Sequence, residues 1–353
     1  MTEVDGAYLE SGGQILRTAC ALAAVTKKPC HVFNIRKGRS KPGLMPQHLL
    51  GIQALAQLCN GRHPPATQLE GDYLGSEEIK FYPGEINGSR TSINVKIETA
   101  GSITLVLQTL IPPALLGPEP VKIVFDGGAT DTFFSPTIDY FQHVFLKVLG
   151  KMREDKNTSR PDEVNVIKRG YYPEGGARVE VKVFPSKLKP INLTERGELK
   201  KILVISGASN ALKIKKVAER QIAGVREILG KLKLPTEEKV EYYDTRCPGS
   251  QICLVAEFEN TTIGVDNLGK LGKRAEDVGK EAALELLKEQ KSGACLDRHL
   301  ADQILVFMAL AGKKSRVSVS EITNHCKTNI WVIEKFIDGK FEIKGNLIIW
   351  QPS

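Results

Sequence analysis

Apolar positions along the chain fall into two spacings, and their alternation predicts the elements. Stretches where they recur every three or four residues read as helices, and short alternating or β-branched runs read as strands. On that basis Gly13 through Ala24 is a helix, His31 to Ile35 a strand and Pro46 to Cys59 a second helix, with a strand pair around Tyr73 to Tyr82. The order recurs twice. Gly101-Ser102-Ile103 opens a helix running to Leu116, followed by a strand over Val121 to Phe125, a helix over Pro136 to Leu149, and strands around Val164 to Ile167 and Arg178 to Phe184. Asp302-Gln303-Ile304-Leu305 opens the third unit, which continues to Ala311, then strand Arg316 to Ser320, helix Asn329 to Ile337, and strands Lys340 to Ile343 and Leu347 to Trp350.

The spacing of these units is uneven. Gln14 and Ser102, at equivalent helix positions, stand 88 residues apart, whereas Ser102 and Asp302 stand 200 apart. The excess of 112 residues has the size of a domain. It begins soon after Phe184 and ends before Leu296, and within it Lys201 to Ile205 and Ile252 to Phe258 read as strands, Lys216 to Leu232 and Lys273 to Lys288 as amphipathic helices. The expected organisation is an α/β chain with a core of residues 1–183 plus 295–353 and an α/β insert of 184–294. Helix–strand alternation alone would arise in any α/β protein, so the repeat rests on the shared order of elements.

Composition narrows the class. Of 353 residues, 41% are hydrophobic and 25% charged, ordinary globular values that exclude a disordered chain and a membrane bundle. No apolar run approaches ~20 residues, since the stretch from Ile103 to Leu116 is interrupted by Gln108, Pro112 and Pro113. Glu3, Asp5 and Glu10 stand where a signal peptide carries a basic region. Seven scattered cysteines without a C-x-x-C pair argue against a disulfide framework and a structural zinc site. A soluble, cytoplasmic protein with no membrane partner is expected.

The net charge of +8 leans toward an anionic partner. It is localised, because Ser11 to Leu69 contains no Asp or Glu but holds Arg17, Lys27, Lys28, Arg36, Lys37, Arg39, Lys41 and Arg62, leaving the rest neutral. Four of these cations lie in the loop Arg36 to Gly43. A solvated loop is the plain reading of such a run, but the missing acids favour phosphate, which Arg forks and Lys point charges suit.

Seven separated segments now carry a resemblance. Leu9-Glu10-Ser11-Gly12-Gly13-Gln14-Ile15-Leu16-Arg17, the loop Arg36 to Leu44 with Gln47-His48, Ala100-Gly101-Ser102 with Leu105 to Gln108, and Gly127-Gly128-Ala129-Thr130-Asp131 are four of them. Arg169 to Gly176, His299-Leu300-Ala301-Asp302-Gln303 and Thr323 to Asn329 complete the set. Together and in this order they resemble the RNA 3′-terminal phosphate cyclases. The resemblance implies three β-α-β-α-β-β repeats forming a large domain, with a smaller thioredoxin-like insert before the last. It also implies an ATP-dependent reaction in which a histidine takes AMP, passes it to an RNA 3′-phosphate, and the neighbouring 2′-OH displaces AMP to leave a 2′,3′-cyclic phosphodiester.

Residue by residue, the resemblance nominates His325 as nucleophile. Its neutral imidazole suits that role, and it is expected in the loop before the Asn329 helix. The other histidines are His31, His48, His63, His143 and His299. Glu10 is the implied ligand of a divalent metal, Mg or Mn; a helix-cap acid is its other reading. ATP is assigned to Gln108, Pro136, Tyr140, His299, Leu300, Ala301, Asp302 and Gln303, although Asp302 and Gln303 could simply cap a helix. His299 stands where the family has tyrosine and is either a smaller stacking partner for adenine or a second, non-catalytic histidine. Gln14, Arg17, Arg36, Arg39 and Gln47 would hold the RNA terminal phosphate or the ATP phosphates, undivided between the two. Ser11 replaces the family's first glycine, which puts a backbone role there in doubt, and Arg169 to Gly176 reads as a structural turn joining repeat and insert. The implied partners are ATP and RNA with a 3′-phosphate, with the oligomeric state open between monomer and homodimer. The rival from another class is a catalytically inactive cyclase-like scaffold for RNA processing or ribosome assembly; retention of His325, Glu10 and Asp302-Gln303 speaks against it. An enolpyruvyl transferase, built from similar repeats, would need more than three.

Overall fold

Period-two burial of side chains builds four sheets of four strands each in the computed structural model, which describes residues 1–59, 67–86, 92–154, 162–232 and 234–353. Arg62 and His63 lie outside the described residues. The first unit runs β1 (Thr2–Asp5), α1 (Gly13–Thr26), β2 (Cys30–Phe33), α2 (Pro46–Leu58), β3 (Gln68–Glu70) and β4 (Ile79–Tyr82). The second runs β5 (Ser92–Ser102), α3 (Ile103–Leu115), β6 (Val121–Ala129), α4 (Ile138–Tyr140), a π-helical turn over Phe141–Phe145, α5 (Leu146–Lys151), β7 (Glu163–Lys168) and β8 (Arg178–Val183). After β9 (Asn192–Leu193) come β10 (Leu199–Ser209), α6 (Val217–Leu229), β11 (Thr236–Tyr243), β12 (Ser250–Phe258), β13 (Thr262–Leu268) and α7 (Ala275–Lys291). The chain ends with α8 (Arg298–Leu310), β14 (Ser315–Ser318), α9 (Asn324–Phe336), β15 (Gly339–Lys344) and β16 (Leu347–Pro352).

Three sheets have one plan. Their orders are β1-β2-β4-β3, β5-β6-β8-β7 and β9-β14-β16-β15. In each, the first pair is parallel and the next two are antiparallel. The first strands β1, β5 and β9 are not located by periodicity, although the resemblance implies a strand at the head of each repeat. Because β9 pairs with β14, residues through Leu193 contribute to the third sheet, and the strand expected over Lys201 to Ile205 is β10, which begins at Leu199.

The fourth sheet, β11-β10-β12-β13, is covered differently on its two faces. Ile202, Val204, Ile252 and Leu254 pack with Ile222, Val225 and Leu286 of α6 and α7 in a small core. The alternate residues Leu203, Ile205, Cys253 and Val255 join the large core of the other three sheets. Alternation thus docks the module by the second face of its sheet. The Arg169 to Gly176 segment strengthens this junction: Arg169 is buried and donates to Asp131 at 3.0 Å and Asp139 at 2.5 Å, with its guanidinium 4.8 Å from the Tyr243 ring of β11.

Two helix starts correct the sequence reading, and the first is α8, which begins at Arg298 with Asp297 as its N-cap, so Asp302 and Gln303 lie one turn inside it rather than at its head. Helix α9 begins at Asn324, not Asn329, because the Thr323 hydroxyl accepts the Cys326 N–H at 3.1 Å and caps the helix there. His325 therefore sits in the first turn of a helix rather than in the preceding loop. All seven cysteines are free and buried. No described helix is long and apolar enough to cross a membrane.

Candidate active site

The N-terminal turns of α1, α8 and α9 meet, and their side chains tie the meeting point together. Gln14 Nε2 of α1 donates to Asp302 Oδ2 at 3.1 Å and to the His325 carbonyl at 2.9 Å. One turn on, the buried Thr18 hydroxyl donates to Asn329 Oδ1 at 2.8 Å, while Asn329 Nδ2 donates to the Asp302 carbonyl at 2.8 Å. From α3, Gln108 Nε2 reaches Gln303 Oε1 at 3.1 Å. A cavity lined by Gln14, Arg17, Thr18, Gln108, Asp302 and Gln303, among others, lies between these helices.

His325 lies between two carboxyl groups. Its Nε2 is 2.7 Å from Glu10 Oε2, and its Nδ1 is 3.9 Å from Asp302 Oδ2. Burial lowers its pKa below the ordinary imidazole value, with Glu10 opposing and Arg17, Arg39 and His299 assisting. The ring is thereby favoured in its neutral form, the one with a lone pair to give. Asp302 is pushed up to about 7 by burial, with Arg17 pulling the other way.

The turn that presents Glu10 is unusual. Leu9 and Ser11 on either side of it adopt left-handed backbone, φ 48° and 50°, a conformation that non-glycine residues visit rarely. Tyr8 stacks on Trp331 of α9 at 4.2 Å, joining this turn to the helix of His325. The Ser11 hydroxyl accepts the Gly38 N–H at 2.9 Å, so the serine found in place of the family's glycine tethers the basic loop. Within that loop Arg36 Nη1 donates to the carbonyls of Lys41 at 2.6 Å and Gly43 at 3.1 Å. Gly43 has φ 78°, and a Cβ there would lie 2.2 Å from the Gly75 carbonyl oxygen, so only glycine closes the loop.

Two arginines lie toward the first turn of α1. Arg39 is exposed and its Nη2 lies over Gly12, 3.4 Å from where a Cβ would stand. Arg17 has its Nε buried with no hydrogen-bond partner, and burial lowers its pKa to about 10. The first turn of α1 carries neither an acid nor a side-chain cap, which leaves its N–H groups and the positive end of the helix dipole facing the same place. His48 packs under this turn. A Cβ on Gly13 would be 2.1 Å from its Nε2, and burial, with Arg17 and Arg36 nearby, lowers its pKa to about 3.

A metal can be tested against this donor set. Among the described residues no group of three His, Cys, Asp or Glu side chains is placed to hold one. Magnesium, however, is commonly held by one or two carboxylates with phosphates supplying further oxygens. Glu10, one-third exposed and 2.7 Å from His325 Nε2, fits an ion of that kind by offering one such carboxylate.

Other nominated residues are placed differently. The Leu300 and Ala301 side chains are wholly buried in the core. Tyr140 is buried and donates its hydroxyl to Asp297 at 2.6 Å, which commits its polar end to the N-cap of α8. His299 is exposed, with Nε2 3.2 Å from Arg298 Nε and its carbonyl accepting from Gln303 at 2.7 Å. Pro136 is half-buried and its carbonyl accepts from Thr104 at 2.7 Å. Its neighbour Thr137 donates its N–H to the half-buried Asp266 at 2.6 Å, whose carboxyl also feels His299. Gln47 opens α2 and packs its stem toward Gly101. Thr18 and Asn329 are the site residues missing from the sequence reading; Thr18 is legible as the residue one turn beyond Gln14.

Comparison with known proteins assigns the chain. The model of the RNA 3′-terminal phosphate cyclase family matches residues 8–343. A Pyrococcus furiosus protein named RNA 3′-terminal phosphate cyclase is 43% identical over 348 residues, covering 98% of this chain and 96% of that protein. Proteins of the same name from Thermococcus kodakarensis and Saccharolobus solfataricus are 42% and 39% identical over 347 residues, each covering 98% of this chain and 95% and 97% of their own length. The chain belongs to the RNA 3′-terminal phosphate cyclase family.

Proposed function

We propose that this protein uses ATP to convert an RNA 3′-terminal phosphate into a 2′,3′-cyclic phosphodiester, with His325 as the covalent carrier of AMP. An unprotonated ring nitrogen forms a bond to the α-phosphorus as the bond to the β-phosphate oxygen breaks, and pyrophosphate leaves with that electron pair. An oxygen of the RNA 3′-phosphate then takes the AMP group from the ring. The 2′-hydroxyl oxygen attacks the 3′-phosphorus, gives up its proton, and AMP departs. The observation that carries this reading is His325 itself, whose Nε2 lies 2.7 Å from Glu10 Oε2, near the unpartnered Arg17 Nε.

Each neighbour has a part in this scheme. Glu10 would hold a divalent cation, whose charge offsets that of the triphosphate and the leaving pyrophosphate. Arg17, Arg39 and the open first turn of α1 receive phosphate oxygens. Gln14 fixes Asp302 and the backbone of His325 in one geometry. Gln108, Gln303, Asp302, Pro136 and His299 are the nucleotide side of the site. The module between β9 and α8 is read as a separate domain docked on this core.

The test is the state of the RNA end. A strand with a 3′-phosphate incubated with the protein, ATP and magnesium should become resistant to phosphatase, with AMP and pyrophosphate released. An end that stays phosphatase-sensitive while ATP is available would overturn the reading.

A further inference from the structure

The loop from Asp131 to Thr137 carries two phenylalanines out of the core. Phe134 is fully exposed and adopts left-handed backbone, φ 66°, which is unfavourable for a non-glycine residue and here turns an apolar ring to solvent. Phe133 meets the exposed Tyr172 edge-on, with ring centroids 6.1 Å apart at 71°. Lys270 Nζ lies 5.1 Å from the Phe133 ring, and Leu271 beside it is fully exposed. Arg246, also exposed, lies across Gly176, where a Cβ would meet its stem at 2.3 Å. Glu174 is the exposed acid of that segment.

Both ends of this loop are hydrogen-bonded to the fold. Arg169 donates to both oxygens of Asp131, at 3.3 and 3.0 Å. Ile138 N–H reaches the Thr130 carbonyl at 3.0 Å, and Thr137 N–H reaches Asp266 at 2.6 Å. The two ends of the loop are thus pinned, and one of them adjoins Pro136 at the nucleotide side of the site. Lys270 and Leu271 follow β13, so the patch bridges the second sheet and the inserted module.

Exposed rings with neighbouring cations have a definite chemistry. Aromatic faces accept unpaired bases of any sequence by stacking, and lysine or arginine meets the phosphates between them. A protein that acts on RNA ends needs that tolerance, because the terminal phosphate says nothing about the sequence before it. We infer that Phe134, Tyr172 and Lys270 form a stacking platform for the single-stranded RNA just upstream of the 3′-phosphate. The inference rests on the reading of the site as one that takes RNA ends, and it commits to single strands because paired bases are already stacked within a duplex.

The test separates the platform from the chemistry. Binding of a short, end-labelled strand with a 3′-phosphate is measured by fluorescence anisotropy at fixed salt, alongside the same strand in a blunt duplex. Transfer of AMP from labelled ATP to the protein is measured without RNA. Phe134→Ala should raise Kd for the single strand about tenfold, the range of one lost stacking contact, whereas Phe134→Trp should keep the wild-type value. Lys270→Ala should reduce the slope of log Kd against log salt by about 0.7. Both alanine variants should take AMP as the wild type does, and the duplex should bind more weakly than the single strand. Unchanged strand affinity in both alanine variants, or equal affinity for the duplex, would overturn the platform and leave the role of His325 intact. A wild-type protein that takes no AMP, while Phe134→Ala still loses strand affinity, would overturn the catalytic reading and support the platform.

Discussion

At the scale of the residue, the site is a set of polar groups whose protonation is governed by burial. His48 shows this most plainly. Folded, it stays unprotonated down to about 3; unfolded, it takes a proton near the ordinary ~6.5. Between those values the unfolded chain binds more protons, so His48 makes stability fall as the pH drops. Asp302, raised to about 7, and Asp131, raised to about 6, act in the opposite sense, because the folded chain keeps their protons. The His48 contribution is therefore read as a difference. Wild-type stability in urea should fall more steeply below pH 6.5 than that of His48→Gln, by up to about 1.4 kcal/mol per pH unit; parallel curves would contradict the burial argument. Ser11 offers a second test. Ser11→Ala loses the bond to Gly38 N–H and should cost about 1 kcal/mol, with a raised KM for RNA as the basic loop loosens. Glu10, Arg17, Asp302 and His325 were legible because they sit in motifs. Thr18 was open to the same reading one turn beyond Gln14, but its bond to Asn329, from a helix at the other end of the chain, is a contact that periodicity cannot reveal.

At the scale of the element, caps decide what faces the site. The Asp297 carboxylate caps α8 by accepting the N–H groups of His299 and Leu300, and it also accepts from Tyr140 and Gly264. Asp297→Ala would leave several buried donors without partners and should cost about 3 kcal/mol or more, seen as a lower urea midpoint with an unchanged slope. A change within 0.5 kcal/mol would show that water replaces the carboxylate. Helices were the legible elements, since their apolar stripes repeat over three or four turns. The first strand of each sheet was not. Thr2–Asp5 buries only Val4, and Asn192–Leu193 has two residues, so neither shows a period. Ser92–Ser102 does alternate, burying Ile93, Val95 and Ile97, and was open to the same reasoning. The start of α9 was obscured because the polar run Asn324-His325 follows its cap and carries no apolar stripe.

At the scale of the whole molecule, the charge excess divides. Arg17 and Arg39 bear on the site and Arg36 braces its loop, but Lys27 pairs with Glu85 at 3.0 Å and Lys28 donates to the Phe336 carbonyl. The net +8 thus overstates the phosphate surface. What joins the fourth sheet to the large core is its second face together with Arg169. Arg169→Ala leaves Asp131 and Asp139 buried without their cation and should destabilise the protein by about 3–5 kcal/mol, measurable by urea unfolding. The central claim concerns His325, and one measurement meets it directly. Incubation with α-labelled ATP and magnesium should give an acid-labile protein–AMP adduct that is absent in His325→Ala and strongly reduced in Glu10→Ala. An undiminished adduct in His325→Ala would contradict the account.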